Sequence, residues 1–181
     1  MGTLSVITPP TQEPITLSEA KEALRIEDTS EDARIHGLIK AAREMAEDFL
    51  DLHIMTQTLD LTFSGWPATI IELDVWPIQS IDSVKYDDTS SPVTEQTLVV
   101  DTDYYADTTT IGGRVIAATA WPSTANQPNT VRIRMTAGYT SQDEVPEHIK
   151  DGIKAYVVYL YDKEPVMRDI AKNLLWSKRR L

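Results

Sequence analysis

The sequence predicts an α+β fold, a small helical bundle interrupted by a β-rich antiparallel insertion and followed by a C-terminal tail. Apolar residues recur with a helical period early in the chain and again near its end, and with a period of two between these segments. We therefore predict four parts: an extended arm over 1–15, a helical core from 16–55 and 145–164, a β-rich insertion over 56–144, and a tail over 165–181.

The longest predicted helix lies within residues 31–52. Its apolar positions repeat every three or four residues and are Ile35, Leu38, Ile39, Ala42, Met45, Ala46 and Phe49. Thr29 or Ser30 is the predicted N-cap, and Glu31 with Asp32 places negative charge in the first turn, where the helix dipole favours it. The apolar stripe requires other helices to bury it.

Two further helices are predicted to pack against this one. Thr16 and Glu19 form a capping-box pattern, which starts a short helix over 17–25. Pro146 suits the first position of a later helix, whose apolar residues repeat at three to four. Pro165 ends or kinks that helix because a proline in a helix interior removes a backbone hydrogen bond.

Between the helices the pattern is that of short strands. Over 56–63, apolar residues alternate with polar ones, and over 130–136 Val131, Ile133 and Met135 alternate with Arg132 and Arg134. Other predicted strands lie at 69–74, 81–86, 97–100 and 114–116. Turn residues separate the strands, which favours a small antiparallel sheet or barrel.

Composition narrows the function classes. The net charge of −11 argues against a chain that grips nucleic acid through phosphates, although the last twenty residues hold six Lys or Arg against three Asp or Glu. That segment is either a frayed basic terminus or an interaction tail. The chain has no cysteine, no apolar run long enough for a membrane helix and no signal-peptide pattern, so we expect no membrane association.

No catalytic or metal-binding motif stands out. His36, His53 and His148 lack a second ligand at helical spacing, and Asp101–Asp107 lacks the glycine and closing glutamate of a calcium loop. Nucleotide-binding and nucleophile-elbow motifs are missing. We therefore expect no enzyme activity, no catalytic residue, no metal and no cofactor.

The four tryptophans suggest an alternative. Trp66, Trp76, Trp121 and Trp176 could stack on sugars, which would make the chain a non-catalytic, β-rich carbohydrate-binding module. Three of them precede proline, and Trp-Pro at a strand end more often packs a turn against a sheet. The structural interpretation is therefore preferred.

Taken in order, several segments resemble one protein family. They are PITLSEAKEALRI, IHGLIKAAREMAEDFL, TQTLDLTF, WPIQSIDSVKY, VRIRMTAGY and VPEHIKDGIKAYVVYLYDKE, which together run from about Pro14 to Glu164. Their order and spacing are similar to those of the head-tail connector (adaptor) proteins of tailed bacteriophages and prophages.

The resemblance implies a structural role without catalytic residues. It implies a ring, usually of twelve copies, that binds beneath the portal protein and receives a stopper or tail-completion protein, while DNA passes through without specific binding. It also implies synthesis in the host bacterial cytoplasm and a final place at the head-tail interface of the virion. We expect part of the excess acidic charge to border the bore, where it repels phosphate.

Two sets of interface residues are predicted. The polar flank of the long helix is expected to contact neighbouring subunits through Arg34, Lys40, Arg43, Glu44 and Asp48. The tail is expected to be marginal alone, to order on its partner, and to bind the portal through Ile170, Leu174, Leu175, Trp176, Lys178, Arg179 and Arg180.

Overall fold

A computed structural model describes residues 2–176. The helices are α1 (Leu17–Leu24), α2 (Asp32–Leu50), α3 (Glu147–Asp162) and α4 (Pro165–Leu175), with a 3-10 turn at Gln142–Glu144. The strands are β1 (Thr3–Thr8), β2 (Gln57–Phe63), β3 (Ile70–Glu72), β4 (Ile78–Asp87), β5 (Glu95–Thr97), β6 (Tyr104–Asp107), β7 (Arg114–Ala117) and β8 (Val131–Ala137). The predicted α+β class is confirmed.

The chain divides into two compact units. The β unit contains the residues up to Pro9 together with Thr56–Gly138, and the helical unit contains Pro10–Met55 together with the residues from Tyr139 onward. Each unit has its own cluster of buried apolar side chains.

The β unit is built from two antiparallel sheets. One has the strand order β1-β2-β8-β4-β5 and the other the order β3-β7-β6. In the five-stranded sheet, Leu59 of β2 lies opposite Met135 of β8, and Leu61 lies opposite Ile133. These four side chains are buried, so the alternation in the sequence gives the sheet one core face.

The other face of the five-stranded sheet is charged and internally paired. Arg134 donates from Nε and Nη2 to the two carboxylate oxygens of Asp60, each at 2.7 Å. Arg132 pairs with Asp87 and with Glu95, and Lys85 also donates to Glu95 at 2.8 Å. Such bidentate and networked contacts orient the side chains across neighbouring strands.

The helical unit buries one stripe of each longer helix. On α2 the buried apolar residues are Ile35, Ile39, Ala42, Ala46 and Leu50, and on α3 they are Ile149, Ile153, Ala155, Tyr156 and Val157. Each fully buried large apolar side chain contributes about 1.5–3 kcal/mol relative to exposure. The predicted capping box is present at α1, where Thr16 Oγ1 accepts from the Glu19 amide and the Glu19 carboxylate accepts from the Thr16 amide.

Several predicted boundaries are wrong. The arm contains β1, which pairs with β2. The strand predicted at 97–100 is β5 at Glu95–Thr97, and β6 was missed. The N-cap of α2 is Glu31, because the Ser30 amide and hydroxyl instead bond Asp28 in the preceding turn. Short strands and caps depend on such local competition, which periodicity does not register.

Candidate functional site

Helix α4 is the centre of the candidate site, and one of its faces is fixed to the helical core. Pro165 opens the helix, where its missing N–H leaves no intrahelical hydrogen bond unmade. Ala171 and Leu175 are completely buried. Leu175 lies over Gly152 of α3, and a Cβ at residue 152 would come within 2.7 Å of the Leu175 side chain. The absence of a side chain at Gly152 therefore allows α4 to pack closely against α3.

A neighbouring side of α4 exposes a row of apolar side chains, which we call the α4 stripe. It consists of Val166, Ile170, Leu174 and Trp176, with exposed fractions of 65, 41, 36 and 58%. The first three follow at intervals of four residues, so they form one ridge along the helix. The Trp176 ring contacts Phe49 of α2 with centroids 6.3 Å apart, which gives the end of the stripe a defined position.

Charged residues accompany the stripe on the same helix. Arg168, Asp169 and Lys172 lie on α4, and the Arg168 guanidinium sits 5.9 Å from the centroid of the Tyr159 ring. The side chains of Arg168 and Asp169 approach only to 3.7 Å and both are exposed, so this ion pair contributes little to stability. An exposed apolar row beside cationic groups is the composition of a protein-binding surface.

The structure corrects part of the predicted portal-binding set. Ile170, Leu174 and Trp176 lie on the exposed stripe, but Leu175 is buried in the helical core. The expectation that the tail orders on its partner does not hold for 165–175, because Ala171 and Leu175 anchor this helix within the subunit. Lys178, Arg179 and Arg180 lie outside the described residues.

The predicted inter-subunit residues fall into two environments. Lys40, Glu44 and Asp48 are exposed at intervals of four residues on α2. Arg34 is exposed as well, but its guanidinium bonds Glu31 at 2.7 Å and lies 4.4 Å from the centroid of the Tyr161 ring, while the Tyr161 hydroxyl donates to Glu31. Three residues thus present an open charged row, and Arg34 is held by its neighbours.

Arg43 was predicted on this exposed flank, and the structure places it inside the subunit. The residue is 3% exposed, donating to Glu13 at 2.8 Å and to Glu47 at 2.6 Å. Burial works against the charge, but the Glu47 and Glu13 carboxylates raise the pKa of Arg43 overall. The sequence held one signal for this arrangement, since Glu47 follows Arg43 by four residues on α2.

The buried arginine organises three stretches of chain that enter or leave the helical unit. Glu47, its partner, also accepts the amide of Ile54 at 2.8 Å, and the Ile54 carbonyl accepts the amide of Tyr139. The Glu13 carbonyl accepts from the Gln142 side chain at 2.6 Å. We call this network the Arg43 cluster.

Trp66, Trp121 and the acidic turns of the β unit make contacts within that unit. Trp66 and Trp121 stack with centroids 4.3 Å apart, and their indole N–H groups donate to the carbonyls of Pro122 and Ala68. This arrangement favours turn packing over sugar stacking. The carboxylates of Asp103 and Asp107 accept backbone amides of their own turns, and within residues 2–176 no group of His, Cys, Asp or Glu is arranged to hold a metal ion.

The model of one protein family, described as head completion protein, matches residues 13–171. The chain belongs to the head completion protein family. The match runs from the segment before α1 into α4, so it includes most of both units. The resemblance to phage head-tail connector proteins is thereby confirmed.

Solved structures with the same fold agree. This head completion protein is similar to chains in the neck of an empty gene transfer agent particle computed with C6 symmetry and in the virion of the native particle, each at 17% identity and TM-score 0.81. It is also similar to a chain in the native neck computed with C12 symmetry, at 16% identity and TM-score 0.80. Each match covers 99% of this chain and 96% of the other. Curated proteins give no match.

The match also shows where this head completion protein extends past the family pattern. Strand β1 precedes the matched range, and Leu174 and Trp176 follow it, although the structural matches cover nearly the whole chain. Among the described helices, none has the length and apolar character needed to cross a membrane.

Proposed function

We propose that this head completion protein is a structural subunit of a head-tail connector, forming a ring that joins a DNA-filled head to a stopper or tail. The family match over 13–171 is the observation that carries the proposal. The fold shared with chains in particle necks of C6 and C12 symmetry supports a ring and suits twelve copies. The role is structural, without a catalytic step or cofactor.

The exposed charged row on α2 is proposed to contact neighbouring subunits. Lys40, Glu44 and Asp48 present one positive and two negative groups, and Arg34 lies on the same helix. Charge complementarity at an interface fixes register and speeds association more than it adds affinity. This suits a ring whose copies must align in one way only.

The α4 stripe, with the basic residues that follow it, is proposed to dock on the portal protein. Three exposed aliphatic side chains and Trp176 supply apolar area that water covers in the free subunit. Because α4 is already anchored through Ala171 and Leu175, docking does not require ordering of 165–175. Lys178, Arg179 and Arg180 follow in the sequence and would add charge-assisted contacts.

DNA is proposed to cross the ring without specific binding. The net charge of −11 opposes retention of a polyphosphate chain. The excess acid lies in residues 1–161, whereas the last twenty residues are net positive, which would separate a bore-facing region from a portal-facing one.

Binding of α4-stripe variants to purified portal protein from the same particle tests the proposal. Ile170→Gln removes an exposed apolar group, so it should weaken portal binding about tenfold while leaving unfolding within about 0.5 kcal/mol of wild type. Trp176→Ala should weaken binding by about 2 kcal/mol or more.

The matched control is Lys172→Gln, which introduces the same side chain on another side of α4. It should change portal affinity by less than about threefold, because a rim charge contributes little. Calorimetry or surface binding gives the affinities, and electron microscopy shows whether rings form. Wild-type protein that neither binds portal nor forms rings would contradict the proposed function. Equal affinities for Ile170→Gln and wild type would remove only the role of the stripe.

A further inference from the structure

Strand β1 forms one edge of the five-stranded sheet, and within residues 2–176 no strand lies on its outer side. All six of its residues are exposed. An edge strand presents unpaired N–H and C=O groups along its free side, and these groups can pair with another extended chain. β1 is therefore open to strand addition.

The composition of β1 lacks the charged residues and proline that commonly protect an edge strand, and a bulge at Ile7 is its one irregularity. Its sequence, TLSVIT, contains no charged residue, no proline and no glycine, and four of its six residues are β-branched. The opposite edge of the sheet differs. β5 has only three residues, and its Glu95 is paired with Lys85 and Arg132. Natural proteins shorten or charge an edge in this way when nothing is to pair with it.

The apolar side chains of β1 are exposed, whereas their partners on β2 are buried. Leu4 lies opposite Leu61 and Val6 opposite Leu59, so both face the core side of the sheet. Leu59 and Leu61 are 0 and 7% exposed, whereas Leu4 and Val6 are 42 and 53% exposed. The apolar face of the sheet thus continues onto β1, where the chain leaves it uncovered. Ile7, at the bulge of this strand, adds another exposed apolar side chain.

We propose that β1 is a pairing strand for a second copy of this chain, whose extended edge segment aligns with β1 and covers Leu4 and Val6. This inference rests on the proposed function, because a ring places identical copies side by side. A cyclic contact joins unlike surfaces, so every copy can offer β1 to one neighbour and receive the β1 of the other along a different edge, such as β3 or β6 of the three-stranded sheet. Ring closure then leaves no β1 edge open.

Two observations favour a second copy over another occupant. The strand carries no positive charge, so it has nothing to attract DNA phosphates. The structural matches cover 99% of the chain, and the similar chains belong to necks computed with sixfold and twelvefold symmetry. Backbone pairing gives affinity, and the apolar side chains give register.

A charged substitution tests the pairing. Val6→Lys places an ammonium on the core side of β1, which water can reach in the free subunit but a paired strand would cover. We expect the number of closed rings on portal, counted by electron microscopy, to fall about tenfold or more. The control is Thr3→Lys, which puts the same group on the other face of the same strand and should leave ring formation unchanged. Circular dichroism and thermal unfolding establish that both variants fold.

Photo-crosslinking identifies the occupant independently of stability. A benzophenone side chain at Val6, in the full chain assembled on portal, should yield an adduct of two copies of this protein. An adduct with portal alone, or rings formed equally well by Val6→Lys, would overturn the inference and leave the proposed function standing. Wild-type protein that binds portal as single subunits would overturn both the ring and the inference.

Discussion

At the scale of single residues, Arg43 shows how a charge can define the interior of the helical unit. Its guanidinium is shared by Glu13 and Glu47, and these partners fix the segments before α1 and after α2. Removing one member of a buried ion pair leaves an uncompensated charge, whereas replacing the whole pair with apolar groups can be nearly neutral. The Arg43 cluster thus holds these chain segments in place, and the removal of one charged member leaves its partner unpaired.

We therefore predict that Arg43→Met lowers the free energy of unfolding by about 3 kcal/mol. Adding Glu47→Met should recover part of that loss, but not all, because the Ile54 amide then lacks its acceptor. Arg34→Met, which removes an exposed ion pair with Glu31, should change stability by less than about 1 kcal/mol. Urea denaturation measures all three. Equal losses of unfolding free energy in Arg43→Met and Arg34→Met would show that Arg43 does not form a stabilising buried ion pair.

Asp88 supplies a pH-dependent contribution in the β unit. Hydrogen bonds from Ser90, Thr94 and Gln96 lower the pKa of Asp88 to about 2 from the ordinary value of 3.8. Below pH 3.8 the unfolded chain takes up a proton that the folded chain refuses, so acid favours unfolding. The stabilisation is complete above pH 3.8 and is lost as the pH falls to about 2.

We expect Asp88→Asn to flatten the decrease in stability between pH 4 and pH 2. Thermal unfolding followed over that range gives the slope, and NMR titration of the side-chain carboxyl gives the pKa of Asp88 in the wild-type protein. Asp48→Asn on α2 serves as a control for the general effect of removing one acid. An Asp88 carboxyl that titrates near pH 4 in the folded protein would contradict the assignment.

At the scale of elements, the packing of α4 on α3 depends on Gly152. A Cβ there would meet the Cγ and Cδ2 atoms of Leu175 at 2.7 Å. Gly152→Ala should therefore destabilise the protein, although alanine favours the helix by about 1 kcal/mol. In a Leu175→Ala background the clash is gone, so the same substitution should stabilise by about that amount. A double-mutant cycle from guanidinium denaturation measures the coupling, and additive effects would rule out the close contact.

Elements that depend on local spacing were predictable from the sequence. Elements that depend on packing against distant segments were predicted less well. The Thr16–Glu19 cap and the α2 stripe depend on spacings of three and four, so the sequence predicts both. β1 and α4 form against β2 and Gly152, which are remote in the sequence. A short segment does not specify such partners, so these residues were predicted as an extended arm and as a tail that orders on its partner.

The candidate site shows the same limit. Ile170 and Leu174 were predicted to be available for binding, and they are exposed, but Leu175 is turned about 100° around the helix axis and is buried. Which residues of α4 are buried depends on the side of the helix that packs against α3. The spacing of apolar residues within 165–175 does not predict that side. Arg43 was assigned to the surface because arginine is usually exposed. Its acidic partner Glu13 lies thirty residues away, so the sequence around Arg43 does not reveal that partner.

At the scale of the whole molecule, the two units have separate cores, although most of the β unit, Thr56–Gly138, is inserted in the chain of the helical unit. The insertion begins after Met55 and ends before Tyr139, and these two residues form a β-bridge. The Tyr139 amide also donates to the Ile54 carbonyl at 2.9 Å, so the points where the insertion leaves and returns are adjacent. A unit with its own core and neighbouring chain ends can fold without the insertion.

We predict that residues 10–55, joined to 139–181 by about eight Gly and Ser residues, fold as a helical domain; such a flexible linker readily spans neighbouring ends. Far-ultraviolet circular dichroism should show helix, and urea unfolding should be cooperative, because the buried stripes of α2 and α3 remain intact. Since α4 packs within this domain, portal binding should survive, whereas ring formation that depends on β1 should be lost. Introducing Ile39→Asp into the core of the same domain is the control that should abolish folding. A linked domain that stays unfolded, while the full chain folds, would show that the helical core requires the β unit.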